Sequence, residues 1–351
     1  MNALAVATCF LVALSVAAPS AARAQQAPPS YASLWSGYKH RFIAPEGRLV
    51  DDSAANVSHS EGQGYAMLLA FFADDRETFA KLWSWTSANL EARPDGLAAW
   101  RWRPQDNPHV LDKNNATDGD LLIAWALAEA GKTWKNKDYT ASARKIALAI
   151  GEHATYSSIF GPALSPGVDG FGRDDGADGP IVNLSYWVFP AFDALAEVAP
   201  EVDWSGLRQS GLSLIDAAQF GPRRLPTDWI SLKYGVQPAA AFPRRFGYDV
   251  VRAPLYLAWG APLERVRIAA LVDAWAGSTD VPPPVVDIDS GSAVETFGDK
   301  GYRAVAALAR CAAHGVKFPE ELRSVAFDRY YSATLHMLSL TALKQRYPQC
   351  S

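Results

Sequence analysis

Along most of the chain apolar residues recur at i, i+3, i+4 and i+7, the spacing that gathers them on one face of a helix. Eleven stretches carry this pattern: 31–42, 62–72, 76–90, 119–130, 139–154, 184–198, 205–220, 248–259, 263–275, 302–312 and 329–346. Most come in pairs divided by short polar or Gly/Pro breaks, which makes the partners antiparallel neighbours. Such pairs repeated around a ring build an all-α (α/α)6 toroid, and one further weak helix would complete its twelve. No fixed-period repeat is visible, which argues against a regular solenoid. Short extended pieces are expected in the longer loops, near Leu97 to Trp102 and Val285 to Ile288.

In a ring of this kind the starts of the inner helices surround one end of the barrel, so chemistry is expected at or just before helix starts. The most prominent start is Ala116-Thr117-Asp118-Gly119-Asp120, which runs straight into an apolar helical stretch with Gly131 as its expected stop. A helix start keeps carboxylates ionised, and two acids two residues apart cannot both cap it. One is expected to cap and the other to be free. Taken alone, Asp-Gly-Asp reads as an ordinary N-cap.

Two more starts carry acids. In Ser58-His59-Ser60-Glu61-Gly62-Gln63-Gly64-Tyr65, spacing alone favours a capping box from Ser58 to Glu61. In Gly247-Tyr248-Asp249-Val250-Val251-Arg252-Ala253-Pro254, it favours a structural pair of Asp249 with Arg252 one turn on. Trp100, Trp102 and Trp187 lie near these segments and read equally as core or as sugar-stacking platforms. The loop 169–176 has an acid-and-glycine look but not the spacing of a calcium loop, and reads as a solvated turn.

The run A-T-D-G-D-x-x-I-A-x-A-L-x-x-A-x-x-x-W from Ala116 resembles the signature of glycoside hydrolase family 8. That bacterial endoglucanase family includes the periplasmic cellulases of cellulose-synthesis operons. The S-E-G-Q-x-Y run at Ser60 and the Y-D-x-x-R-x-P run at Tyr248 are similar to two more of its segments, and Asn183-Leu184-Ser185-Tyr186 is similar to its N-P-S-Y run, with Leu184 in the usual place of proline. The resemblance implies an inverting endo-β-1,4-glucanase with Glu61 as general acid and Asp249 as general base. Asp118 is then assigned to the −1 sugar. Gln63, Tyr65, Tyr186, Trp100, Trp102 and Arg252 are expected to bind substrate, Arg252 also lowering the pKa of Asp249. In inverting glycosidases the two carboxyls stand roughly 6.5–9.5 Å apart, leaving room for a water. Relatives of this family also cut xylan, chitosan and mixed-linkage glucan, and a glucan-binding subunit without turnover is a further reading.

Composition refines this picture. The chain opens on an apolar run through Val16 and reaches Ala22-Arg23-Ala24-Gln25, a signal peptide over 1–24 with an A-x-A cleavage site but no Lys or Arg ahead of the run. A single catalytic domain over 25–351 in the periplasm or outside the cell is therefore expected, with no membrane span after cleavage. A net charge of −4 with the signs interspersed argues against nucleic acid. Twelve tryptophans suit both a core and a sugar cleft. Cys311 and Cys350 could pair in an oxidising compartment. No metal or cofactor is expected, and the expected partners are β-glucan and the cellulose synthase complex.

Overall fold

The computed structural model describes residues 29–91, 93–277 and 281–351, so the expected signal peptide lies outside the described residues. Eleven α-helices follow in order: α1 (Tyr31–Phe42), α2 (Ser60–Phe72), α3 (Arg76–Asn89), α4 (Thr117–Trp134), α5 (Lys137–His153), α6 (Phe192–Val198), α7 (Trp204–Ala217), α8 (Arg252–Gly260), α9 (Arg265–Trp275), α10 (Lys300–His314) and α11 (Tyr330–Arg346). Helices α2, α4, α8, α10 and α11 are buried on nearly every side, the mark of helices enclosed by others. With α6 they form the inner ring of an (α/α)6 barrel: α2 packs on α4, α4 on α6, α8 on α10 and α10 on α11, the 3-10 turn Phe189–Ala191 ahead of α6 meets α8, and α11 closes back on α2. Helices α1, α3, α5, α7 and α9 bury one face and stand outside.

Among the described residues the weak twelfth helix does not form. Its outer place between α10 and α11 holds a 3-10 turn, Glu320–Leu322, whose cap residue Pro319 makes no side-chain hydrogen bond to the first N–H groups. Three other boundaries differ from the apolar pattern by more than three residues. Gly131 does not stop α4, which runs on to a left-handed Lys135 (φ 58°). Its missing side chain instead lets α5 approach, since a Cβ there would lie 2.4 Å from Thr140 Oγ1. The stretch 184–198 breaks into 3-10 turns Leu184–Tyr186 and Phe189–Ala191 ahead of α6, with Asn183 capping the first and Pro190 inside the second. The third, at 248–251, belongs to the site.

Short strands frame the end of the barrel where α2 starts. Ser58–His59 pairs antiparallel with Arg101–Trp102, so the approach to α2 lies against the loop bearing Trp100. Ile181–Val182, Ile230–Ser231 and Gln237–Pro238 form one small sheet, and Arg245–Phe246 joins Pro284–Asp287 and Ala293–Thr296 in another. The two loop regions expected to be extended therefore both contain strand. Cys311 of α10 is disulfide-bonded to Cys350 at the chain end. Among the described residues no helix is long and apolar enough to cross a membrane.

Candidate active site

Three chain segments bring their acids to one point. Helix α2 is capped by His59, whose Nδ1 accepts from the Gly62 N–H at 2.9 Å, while His59 Nε2 lies 3.4 Å from Asp51 Oδ2. The capping box does not form, because the Ser58 hydroxyl donates to the Leu49 carbonyl. Glu61 is thus left free in the first turn. Helix α4 starts after Ala116 with no side-chain cap, so neither aspartate caps it. Asp120 instead accepts from the Ala98 N–H at 2.8 Å and from Asn115 Nδ2 at 2.9 Å, bracing the loop beside it.

The third segment does not continue α8 forward to Tyr248. Asp228 Oδ1 accepts from the backbone N–H groups of Gly247 (3.0 Å), Asp249 (3.2 Å) and Val250 (3.0 Å), which fixes residues 247–250 as a turn. Asp249 projects from that turn and Arg252 opens the helix.

Arg252 joins the three acids. Its side chain is 2% exposed, Nη1 donates to both Glu61 Oε2 and Asp118 Oδ2, the latter at 2.7 Å, and Nη2 donates to Ser185 Oγ at 2.7 Å. Nη2 also lies 3.6 Å from Asp249 Oδ1. A buried guanidinium is tolerable only when so surrounded. The close approach of α2 and α4 that brings the acids together depends on two glycines. A Cβ on Gly119 would lie 2.2 Å from Ser60 Oγ and 2.7 Å from the Glu61 nitrogen, and one on Gly64 would lie 2.5 Å from Leu122 Cβ.

These surroundings tune the acids differently. Burial pushes the Asp118 carboxyl up to about 7, with the neighbouring Glu61 adding to the effect and Arg252 opposing it. Asp249, whose side chain is 39% exposed at the cleft wall, is raised by burial to about 6. Asp228 and Asp118 contribute to that rise, while Arg252 and a hydrogen bond from Trp229 oppose it. Arg252 does lower the Asp249 carboxyl, as expected, but burial outweighs it and the group stays above its ordinary value. The guanidinium is engaged first with Glu61 and Asp118.

The cleft above the acids has a volume of about 320 Å³, and its walls include Trp100, Tyr186, Tyr248, Tyr330 and Tyr331. The fold that carries this cleft is shared with solved proteins. An endo-β-1,4-glucanase structure from Acetobacter xylinum superposes with a TM-score of 0.80 at 34% identity, covering 91% of this chain and 99% of that one. A probable endoglucanase of Novacetimonas hansenii is 36% identical over 92% of this chain and 94% of its own length. An endoglucanase of Cellulomonas uda is 40% identical over 66% of this chain, and the chain spans 64% of that relative's length. The sequence model of glycosyl hydrolases family 8 matches residues 1–345. The chain belongs to glycoside hydrolase family 8.

Two residues that the family segment marks for substrate contact have other work here. Gln63 is buried, accepting from the Leu49 N–H at 2.6 Å and donating to Thr86 Oγ1 at 2.7 Å, so its amide ties α2 to α3 and to the loop ahead of α2. Tyr65 is buried with its hydroxyl on that of Tyr256. Both follow Glu61 along a helix enclosed on all sides, where the residues after the first turn face protein. Of the tryptophans, Trp100 lines the cleft, with Arg101 over one ring face at 4.2 Å. Trp102 packs against His109 and Trp85 with Arg48 above it at 4.9 Å and is absent from the cleft wall. Trp187 is core, its indole N–H donating to the Leu207 carbonyl at 2.8 Å. Tyr186 lines the cleft with the Arg252 guanidinium 5.8 Å from its ring centre.

The sequence reading missed His59, Ser185, Asp228 and Trp229 in this family 8 site. The run Pro226-Thr227-Asp228-Trp229 carried a turn signal, Pro followed by Asp. Nothing local indicated that this Asp caps a turn about 20 residues later.

Proposed function

We propose that this chain is an endo-β-1,4-glucanase that hydrolyses cellulose-type β-1,4-glucan with inversion, as a single catalytic domain over 25–351. The observation that carries the reading is the set of three carboxylates gathered around buried Arg252 on the floor of an open cleft. The endoglucanase names of the relatives support the substrate class.

Glycoside hydrolysis needs one carboxyl to protonate the leaving oxygen and another, ionised, on the opposite face of the sugar. Glu61 and Asp118 share one guanidinium and are hydrogen-bonded to each other, so the proton that Asp118 carries below about pH 7 passes to the Glu61 carboxylate and leaves Asp118 as the ionised partner of Arg252. Glu61, the more exposed of the pair at 19%, gives the proton to the glycosidic oxygen. Asp249, ionised above about pH 6, takes a proton from the water that attacks the anomeric carbon. Buried Asp118 holds a hydroxyl of the −1 sugar, and Tyr186 lines the same cleft.

Because water attacks directly, the first product from a β-linked glucan should be the α-anomer. Proton NMR of early products, on whichever polymer releases most reducing sugar across a panel of β-1,4-glucan, xylan, chitosan and mixed-linkage glucan, reads both points. The β-anomer appearing first would overturn inversion, and release confined to another polymer would overturn the substrate.

The resemblance to cellulases of cellulose-synthesis operons supports a place in the periplasm beside a cellulose synthase. Deleting the gene should then change the amount or texture of the cell's own cellulose. Unchanged cellulose with lost growth on external glucan would instead mark a secreted degradative enzyme.

A further inference from the structure

We propose that Trp229 and Asp228 are positioning residues for the base: Asp228 fixes the backbone that carries Asp249, and the Trp229 indole N–H fixes its carboxylate. This rests on the reading of Asp249 as general base and adds the residues through which it works.

The geometry divides the task between two adjacent side chains. Asp228 is 4% exposed, and the three N–H groups it accepts belong to the turn from which Asp249 projects. Its own N–H donates to the Arg245 carbonyl at 2.9 Å, locking it to the strand that leads into that turn. Trp229 Nε1 donates to Asp249 Oδ2 at 3.1 Å. The indole cannot tilt freely, because it is stacked between Phe171 (5.7 Å, 9°) and Phe242 (4.5 Å, 14°). An N–H aimed at one carboxylate oxygen does two things. It selects a single rotamer, leaving Oδ1 toward Arg252 and the cleft, and it favours the ionised form that a base requires.

The groups acting on Asp249 come from several elements. Arg252 of α8 and the Trp229 N–H favour its charge, whereas Asp118 of α4 and Asp228 oppose it. Tyr331 of α11 and Tyr186 also feel its charge. Asp118 and Arg252 already neutralise one another in part through their 2.7 Å contact. That leaves the indole as the one directly bonded side-chain donor on Asp249 among the described residues.

Trp229→Phe keeps the ring stack and removes only the donor. In the folded full-length chain kcat should fall about tenfold, the scale of one hydrogen bond to a charged group, with KM unchanged. The acidic limb of the kcat profile should move to higher pH. Wild-type kcat and limb, or a fall in kcat with the limb unmoved, would overturn the proposal. Asp228→Asn, which keeps the accepting oxygen, should retain most of kcat, whereas Asp228→Ala should lose it. Equal loss in both would overturn the backbone half. Asp249→Asn separates this from the underlying assignment: full activity there overturns the base and the proposal together, while an inactive Asp249→Asn beside an unaffected Trp229→Phe overturns the proposal alone.

Discussion

Glu61→Gln is expected to leave a folded protein that no longer hydrolyses soluble cellulose derivatives. Glutamine has the same shape, and its carbonyl oxygen can still accept from Arg252 Nη1, so the contact joining α2 to α8 survives. It has no proton to give to a leaving oxygen. Positioned proton transfer is worth on the order of 10²–10⁴-fold, and the loss should fall in that range. Asp118 cannot substitute, because it is set on the −1 sugar and not on the leaving oxygen, with Oδ2 on Arg252 and Oδ1 on the Gly119 N–H at 2.8 Å. The measurement is kcat on carboxymethylcellulose beside a thermal melt. Near-normal turnover in a protein that melts like wild type would end the assignment of Glu61 as the acid.

The second large effect belongs to Arg252→Met, which keeps the bulk of the side chain and removes its charge. Two neighbouring carboxylates then face each other across an apolar side chain. Removing one partner of a buried ion pair costs about 3–5 kcal/mol, and here activity should be lost as well. The stability loss should depend on pH. Asp118 ionises near 3.8 in an unfolded chain and at about 7 in the folded one. Its burial therefore costs nothing below the first value, and the cost rises until the folded group ionises. Without the guanidinium the folded value climbs further, so the deficit of the variant grows above pH 7 and shrinks at pH 5, where Asp118 is protonated in both proteins. Urea denaturation at pH 5 and pH 8 reads this directly. Equal deficits would mean that Arg252 supports the fold through packing and not through charge.

What the sequence disclosed and what it withheld divide along physical lines. Helices were legible wherever an apolar pattern repeats along an element, and α1, for example, forms over the expected 31–42. The pattern failed where backbone N–H groups find partners far away in sequence. Asp228 takes the N–H groups of the turn 247–250 ahead of α8, and the caps of α2 and α4 do not follow the Ser/Asp rule because the Ser58 hydroxyl is drawn to the Leu49 carbonyl, Asp118 to Arg252 and Asp120 to the Ala98 N–H. The three acids that gather at Arg252 were marked in the sequence by the family-like runs, since Asp118 and Glu61 in isolation look like caps. Gln63 and Tyr65 were misplaced for the converse reason. A motif records which residues accompany the site, and does not say whether a side chain faces the cleft or ties the helix beneath it to its neighbours. Trp229 carried no signal at all, because its partner lies 20 residues on.

The two glycines between α2 and α4 carry a consequence for anyone redesigning this cleft. Gly119 rests on the backbone nitrogen of Glu61 itself, and Gly64 on the Leu122 side chain just below. The gap between acid and sugar-holding aspartate is thus set by two absent methyl groups, acting as a spacer of zero thickness. Walls such as Trp100 and Tyr186 can be exchanged to suit another polymer without touching that spacer. A single added carbon at position 119 would instead wedge the two helix starts apart, and the bore of the ring would widen at the one end where its width decides whether a proton arrives.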